Sequence, residues 1–133
     1  MIKKIYDITP IAKPRMTRSD KWKKRECVEK YWDFCNQVKL LDIKLWSSGS
    51  HIIFMMPMPQ SWSKKKKKRY NHKPHEQKPD KDNLIKSLLD AVFKNDAHIW
   101  SHKYTKIWGY LGKIIIIYDD YDPFDYETLI GDI

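Results

Sequence analysis

Apolar residues between Glu26 and Leu41 recur at helical spacing: Val28, Tyr31, Trp32, Cys35, Val38 and Leu41. The spacing predicts an amphipathic helix with its aromatic residues in the core. "HIIFMMPMP", starting at His51, predicts a strand that its prolines end, since proline donates no ladder hydrogen bond. "KKIYDIT", with Ile5 and Tyr6, predicts a short N-terminal strand. Leu84, Leu88, Leu89, Val92 and Phe93 form the apolar side of a second helix, Asn83 to Lys94, with Asp82 as N-cap. "KYTKIWGY" and "KIIIIYDD" predict two strands joined at "GYLG" as a hairpin. Ile114 to Ile117 is apolar without alternation, which suits a central strand.

Between these elements lie two basic stretches. "PIAKPRMTRSDKWKKR" predicts a loop whose Lys13, Arg15, Arg18, Lys21, Lys23, Lys24 and Arg25 suit phosphate, or only solvent. Residues 60–79 predict a long polar loop with Lys64, Lys65, Lys66, Lys67, Lys68, Arg69, Lys73 and Lys78. Trp62 and Tyr70 flank the lysine run, and aromatics beside cations suit stacking on unpaired bases. Together the elements give an α/β chain of α+β type: a mixed sheet of about four strands packed against two main helices. At 133 residues it is one small domain, 1–133, with an acidic tail from about residue 119.

Charge sharpens this picture. The chain has 26 Lys+Arg, 17 Asp+Glu and a net charge of +9. Asp119, Asp120, Asp122, Asp125, Glu127 and Asp132 close the chain with no basic residue among them, so residues 1–118 hold 26 basic and 11 acidic residues, a net of +15. Such a body favours a polyanion, most simply nucleic acid. No apolar run spans a membrane, no secretory signal is evident, and Cys27 and Cys35 stand eight positions apart in a predicted helix, about 12 Å along its axis. That is too far for a disulfide. Reduced thiols and a cytoplasmic location are the expectation.

Behind the lysine run stands "KPDKDNLIKSLLDAVFKND", residues 78–96. Asp80 and Asp82 are two apart at a helix entrance, where side chains at i and i+2 point the same way. Lys86 and then Asp90 follow at one-turn intervals on the Asp82 face, and Asp96 lies past the helix, where the chain can fold back. Converging carboxylates repel and need a cation. Mg²⁺ or Mn²⁺ with oxygen ligands would meet that need and contact a phosphate, and a nearby lysine would stabilise the transition state. The plainer alternative leaves Asp82 as an N-cap and Lys86–Asp90 as a surface pair.

"KPDKDNLIKSLLDAVFKNDAHIW" resembles the signature of RusA-type endodeoxyribonucleases, Holliday junction resolvases of bacteria, bacteriophages and prophages. Asp80, Asp82, Asn83, Leu84, Lys86 and Asp90 match its D-x-D-N-L-x-K pattern and helix aspartate, and Asp96 matches the second aspartate of a later pair. Asn95 stands where the first of that pair belongs, and His98 where glutamine is usual. The likeness covers roughly residues 5–118. It implies that Asp80, Asp82 and Asp96 bind Mg²⁺ and that Lys86 acts at the phosphate. It also implies a bacterial, phage- or prophage-encoded homodimer that nicks opposed strands of four-way DNA, as two-fold symmetry suits. Arg15, Arg18, Lys64 to Lys68, Arg69 and Lys73 become the DNA contacts.

Two other readings compete: a non-catalytic basic DNA-binding protein with this fold, and a small interaction module with a solvated basic loop. His72, His75, His98 and His102 lack the spacing and cysteine partners of a zinc site. No glycine-rich phosphate loop is present among the four glycines.

Overall fold

The computed structural model describes residues 2–119 and 124–132. Asp120 and Asp122 of the acidic tail, and the side chain of Lys21, lie outside the described residues. Period-two burial builds the sheet. In β2 (Ser48–Pro57) Ser50, Ile52, Phe54 and Met56 are buried, and the residues from His51 to Met55 that alternate with them are half-buried. β4 (Lys113–Tyr118) repeats the pattern with Ile114, Ile116 and Tyr118 buried. The two pair antiparallel, Ile52 opposite Ile116 and Phe54 opposite Ile114. β1 (Ile2–Tyr6) adds antiparallel outside β4, and β3 (Ser101–Gly109) adds parallel outside β2. The order is β1-β4-β2-β3, so β4 is central, and its second apolar set, Ile115 and Ile117, lies half-buried on the opposite face.

α1 (Glu26–Leu40) buries Val28, Tyr31, Phe34, Cys35 and Val38, and α3 (Lys81–Val92) buries Leu84, Ile85, Ser87, Leu88 and Ala91. The two helices pack on each other and share one core with Ile52, Phe54, Ile114 and Ile116. A fully buried leucine such as Leu88 contributes roughly 1.5–3 kcal/mol by removal from water. This is the expected α+β domain with a four-stranded mixed sheet and two main helices. Two short helices complete it, α2 (Lys64–Tyr70) and α4 (Tyr126–Ile130).

Four expectations need correction. β3 and β4 form no hairpin: β2 lies between them, because a strand apolar on both faces gains more in the sheet centre than beside its sequence neighbour. The lysine run is not structureless. Ser63 caps α2 by accepting from Lys66 N at 3.1 Å, and Trp62 and Tyr70 pack against each other and the core. Lysine is a good helix former, and a helix this short draws its stability from such packing. Trp32 and Leu41 are exposed, and Phe34 takes the core position. Finally, α3 starts and ends two residues earlier than the pattern suggested, with Asp80, not Asp82, at its N-cap.

Candidate active site

The chain reaches the acidic motif along β3. His72 N donates to Trp108 O at 2.9 Å, Trp108 N to Lys73 O at 2.9 Å and His75 N to Lys106 O at 3.0 Å, so residues 72–75 line the outer edge of β3. From there the chain turns into α3. The Asp80 carbonyl accepts from Asn83 N and Leu84 N, which starts the helix, while its side chain makes no capping hydrogen bond. Asp82 sits in the first turn, where a negative charge suits the helix dipole. Neither carboxylate is consumed in capping.

The plainer reading of the helix face also fails. Asp90 pairs with Lys13 at 2.6 Å, not with Lys86. Among the described residues Lys86 forms no ion pair, and neither do Asp80, Asp82 or Asp96. Asp80, Asp82, Lys86 and Asp96 are all exposed. The three carboxylates thus form no salt bridge among the described residues, although Asp80 is close enough to Lys106 to act on it electrostatically.

The four are not gathered at one point. Asp80 borders a polar groove with His75, Lys78, Lys81, Tyr104 and Lys106. Lys86 and Asn83 line a second groove, against Lys13, Pro14, Arg15 and Met16. Asp96 lies close enough to Tyr104 for its charge to add to the effect of burial in raising that hydroxyl's pKa. Burial lowers the pKa of the Lys106 ammonium, and Asp80 opposes the shift. Thus Asp80 borders β3, and the charge of Asp96 reaches the strand at Tyr104. Among the described residues, no three His, Cys, Asp or Glu side chains stand close enough to share a metal ion. The donors fit a hard divalent cation in chemistry, being unpaired carboxylate oxygens, but form no ready-made cage.

Asn95 accepts from Ala97 N at 2.9 Å and so shapes the turn holding Asp96. The histidines go separate ways. His75 is buried 4.1 Å from the Trp108 ring, His98 meets the edge of Phe93, and His102 bonds the Trp46 carbonyl at 2.6 Å.

The N-terminal basic loop is braced, not loose. Arg25 holds Asp20 through two N–H groups at 2.7 and 2.9 Å and the Arg15 carbonyl at 2.8 Å. Those bonds, with that of Thr17 N, hold the Asp20 carboxyl well below the usual carboxylate range. Arg25 and Lys13 are therefore engaged within the protein, whereas Arg15, Arg18, Lys23 and Lys24 are exposed. On α2, Lys64, Lys65, Lys68 and Arg69 are exposed, as is Lys73 beyond it, while Lys66 lies 4.2 Å over the Trp62 ring and Lys67 is half-buried. Trp62 and Tyr70 face the core, so they do not offer free faces to a base. Trp22, in the basic loop, is 72% exposed. Sequence reasoning passed over Trp22 and Lys106. An unmatched tryptophan among cations marked the first; nothing local marked the second, whose partners are distant in sequence.

Residues 7–117 match the family described as endodeoxyribonuclease RusA. The chain belongs to the RusA endodeoxyribonuclease family. The match spans the chain from just past β1 into β4 and includes the whole acidic motif, both basic segments and the β3 edge. No curated protein matches the chain. RusA membership supports a nuclease that acts on DNA, and the positive body with its braced loop has the charge for that partner. Among the described residues no helix is long and apolar enough to cross a membrane.

Proposed function

We propose that this protein is a Mg²⁺-dependent, structure-selective endonuclease that resolves four-way DNA junctions by paired nicks in recombination and repair. The observation that carries the reading is the set of unpaired carboxylates, Asp80, Asp82 and Asp96, around α3 with an unpaired Lys86 on its next turn. Asp80, Asp82 and Asp96 would hold the metal, with Mn²⁺ an acceptable substitute. A bound ion would activate water and offset charge developing on the scissile phosphate.

The chain's own residues supply the rest. Lys86 projects into a groove with Asn83 and Arg15, where it donates to a phosphate oxygen. Arg15, Arg18, Lys64, Lys65, Lys66, Lys67, Lys68, Arg69 and Lys73 hold the backbone of the arms. Trp22, in place of Trp62 and Tyr70, offers a face to an unpaired base at the branch. Two copies make the two cuts. The open sheet face supports that assembly: Ile5, Met55, Ile107, Tyr110, Leu111 and Ile115 line a mainly apolar groove, with Lys113 and His72 also in its lining. The protein would act in a bacterial cytoplasm, encoded by a phage or prophage.

The test is a labelled four-way junction incubated with and without Mg²⁺, with linear duplex as control. Symmetric nicks in the junction alone, only with metal, are expected. Tight junction binding without cutting would instead support a non-catalytic DNA-binding protein, the reading that Asn95 and the absence of a preformed cage among the described residues favour.

A further inference from the structure

The backbone bonds between β3 and residues 72–75 end before the acidic motif begins. Lys106 continues the series with its side chain. Its Nζ donates to the Gln77 carbonyl at 2.5 Å and to the Pro79 carbonyl at 2.7 Å. The second acceptor belongs to the peptide group that carries the Asp80 nitrogen. A half-buried ammonium therefore clasps the chain at two points just before Asp80. An ammonium has three donors, and two are spent on these carbonyls. Lys106 comes from β3, 27 residues away from Pro79, so the link is tertiary and ties the motif to the sheet.

The geometry points to Lys106 as the positioning residue of Asp80: by holding the Gln77 and Pro79 carbonyls it fixes the backbone from which the Asp80 carboxylate extends. Tyr104 and Lys106 alternate onto one face of β3, roughly 6.6 Å apart at about 3.3 Å per residue. Asp96 lies by Tyr104 and Asp80 by Lys106. The lysine acts through Asp80, and two of its three donors are spent on carbonyls of the protein. This assignment rests on the metal-site reading given above.

Lys106→Met removes the donors and keeps the stem. Lys106→Arg keeps charge and donors. Three quantities separate the possibilities: kcat on labelled four-way DNA at saturation, junction Kd without metal, and Mn²⁺ binding without DNA, followed by electron paramagnetic resonance. Lys106→Met is expected to lower kcat and weaken Mn²⁺ binding by about 10- to 100-fold, as loss of a group that orients a metal ligand does. Junction Kd stays unchanged, and Lys106→Arg recovers most of both losses. Unchanged kcat and Mn²⁺ binding in Lys106→Met overturn the assignment. So does a loss of junction affinity that matches the loss of rate, which marks an ordinary phosphate contact, and so does a failure of Lys106→Arg to recover. If Lys106→Met does not fold, Lys106→Gln, which keeps an amide N–H for a carbonyl, is judged by the same criteria. Wild-type protein that neither cuts nor binds Mn²⁺ sinks the metal-site reading itself, an outcome distinct from any difference between the variants.

Discussion

Asp82→Asn changes one oxygen to nitrogen and leaves the first turn of α3 its length and shape. It is expected to abolish cleavage while junction binding stays at the wild-type level or tightens, since a proposed metal ligand is removed along with a charge that repels phosphate. Wild-type cutting by Asp80→Asn, Asp82→Asn and Asp96→Asn alike, in the same gel assay, sinks the site. Lys86→Ala is expected to lower the rate at saturating DNA on the order of 100-fold, with a much smaller change in Kd. Equal losses in rate and affinity would make Lys86 a simple phosphate contact. At this scale much was legible: helical period alone places Lys86 one turn from Asp82. The N-cap was misplaced because Asp80 and Asp82 have equal capping propensity, and only the hydrogen bonds to the Asp80 carbonyl decide between them. Lys106 was not legible, since its partners at Gln77 and Pro79 are distant in sequence.

For α2 the helical state changes how the lysine run should be probed. Serine would weaken a helix as well as remove charge, so Lys64 to Lys68 are better replaced by glutamine, a good helix former. Each phosphate left without its lysine flattens the dependence of log K on log salt by about 0.9 for duplex DNA. A shallower slope for both junction and duplex, with an unchanged circular dichroism spectrum, is expected. An unchanged slope would move the DNA-binding surface to the loop braced by Arg25. The run read as loop because its lysines carry no apolar period; its helix is held by Trp62 and Tyr70, which lie just before and at the end of the run. The β3–β4 turn was equally legible as a turn. What the sequence could not convey was that β2 intervenes, because pairing is settled by burial across the sheet and not by the connection.

The whole molecule carries a pH dependence. Burial lowers the pKa of His51, His75 and His102. These bases take up protons at a lower pH in the fold than in the unfolded chain, which protonates them below about pH 6.5. Stability from this source is therefore complete above that value and declines as pH falls through it. Thermal midpoints followed from about pH 8 to about pH 5.5 should drop, and His75→Gln should shrink the drop; a flat profile contradicts burial of the three rings. Assembly belongs to this scale as well. Leu111 is 67% exposed beside the apolar groove, so Leu111→Glu is expected to convert a dimer to a monomer by light scattering while the fold persists. A wild-type monomer would remove the second copy from the proposal.

The strand order has a consequence for synthesis. β4 separates β1 from β2 and pairs with both, yet it is the last strand of the sheet to be made. While the ribosome is still adding residues before Lys113, β1 and β2 have no common neighbour, and the β2 edge that pairs with β4 at Ile52 and Phe54 stays open. The sheet closes only when β4 slides between strands already present. Fragments stopping short of Lys113 lack the strand that joins β1 to β2 and should accumulate as aggregates instead of partly folded domains.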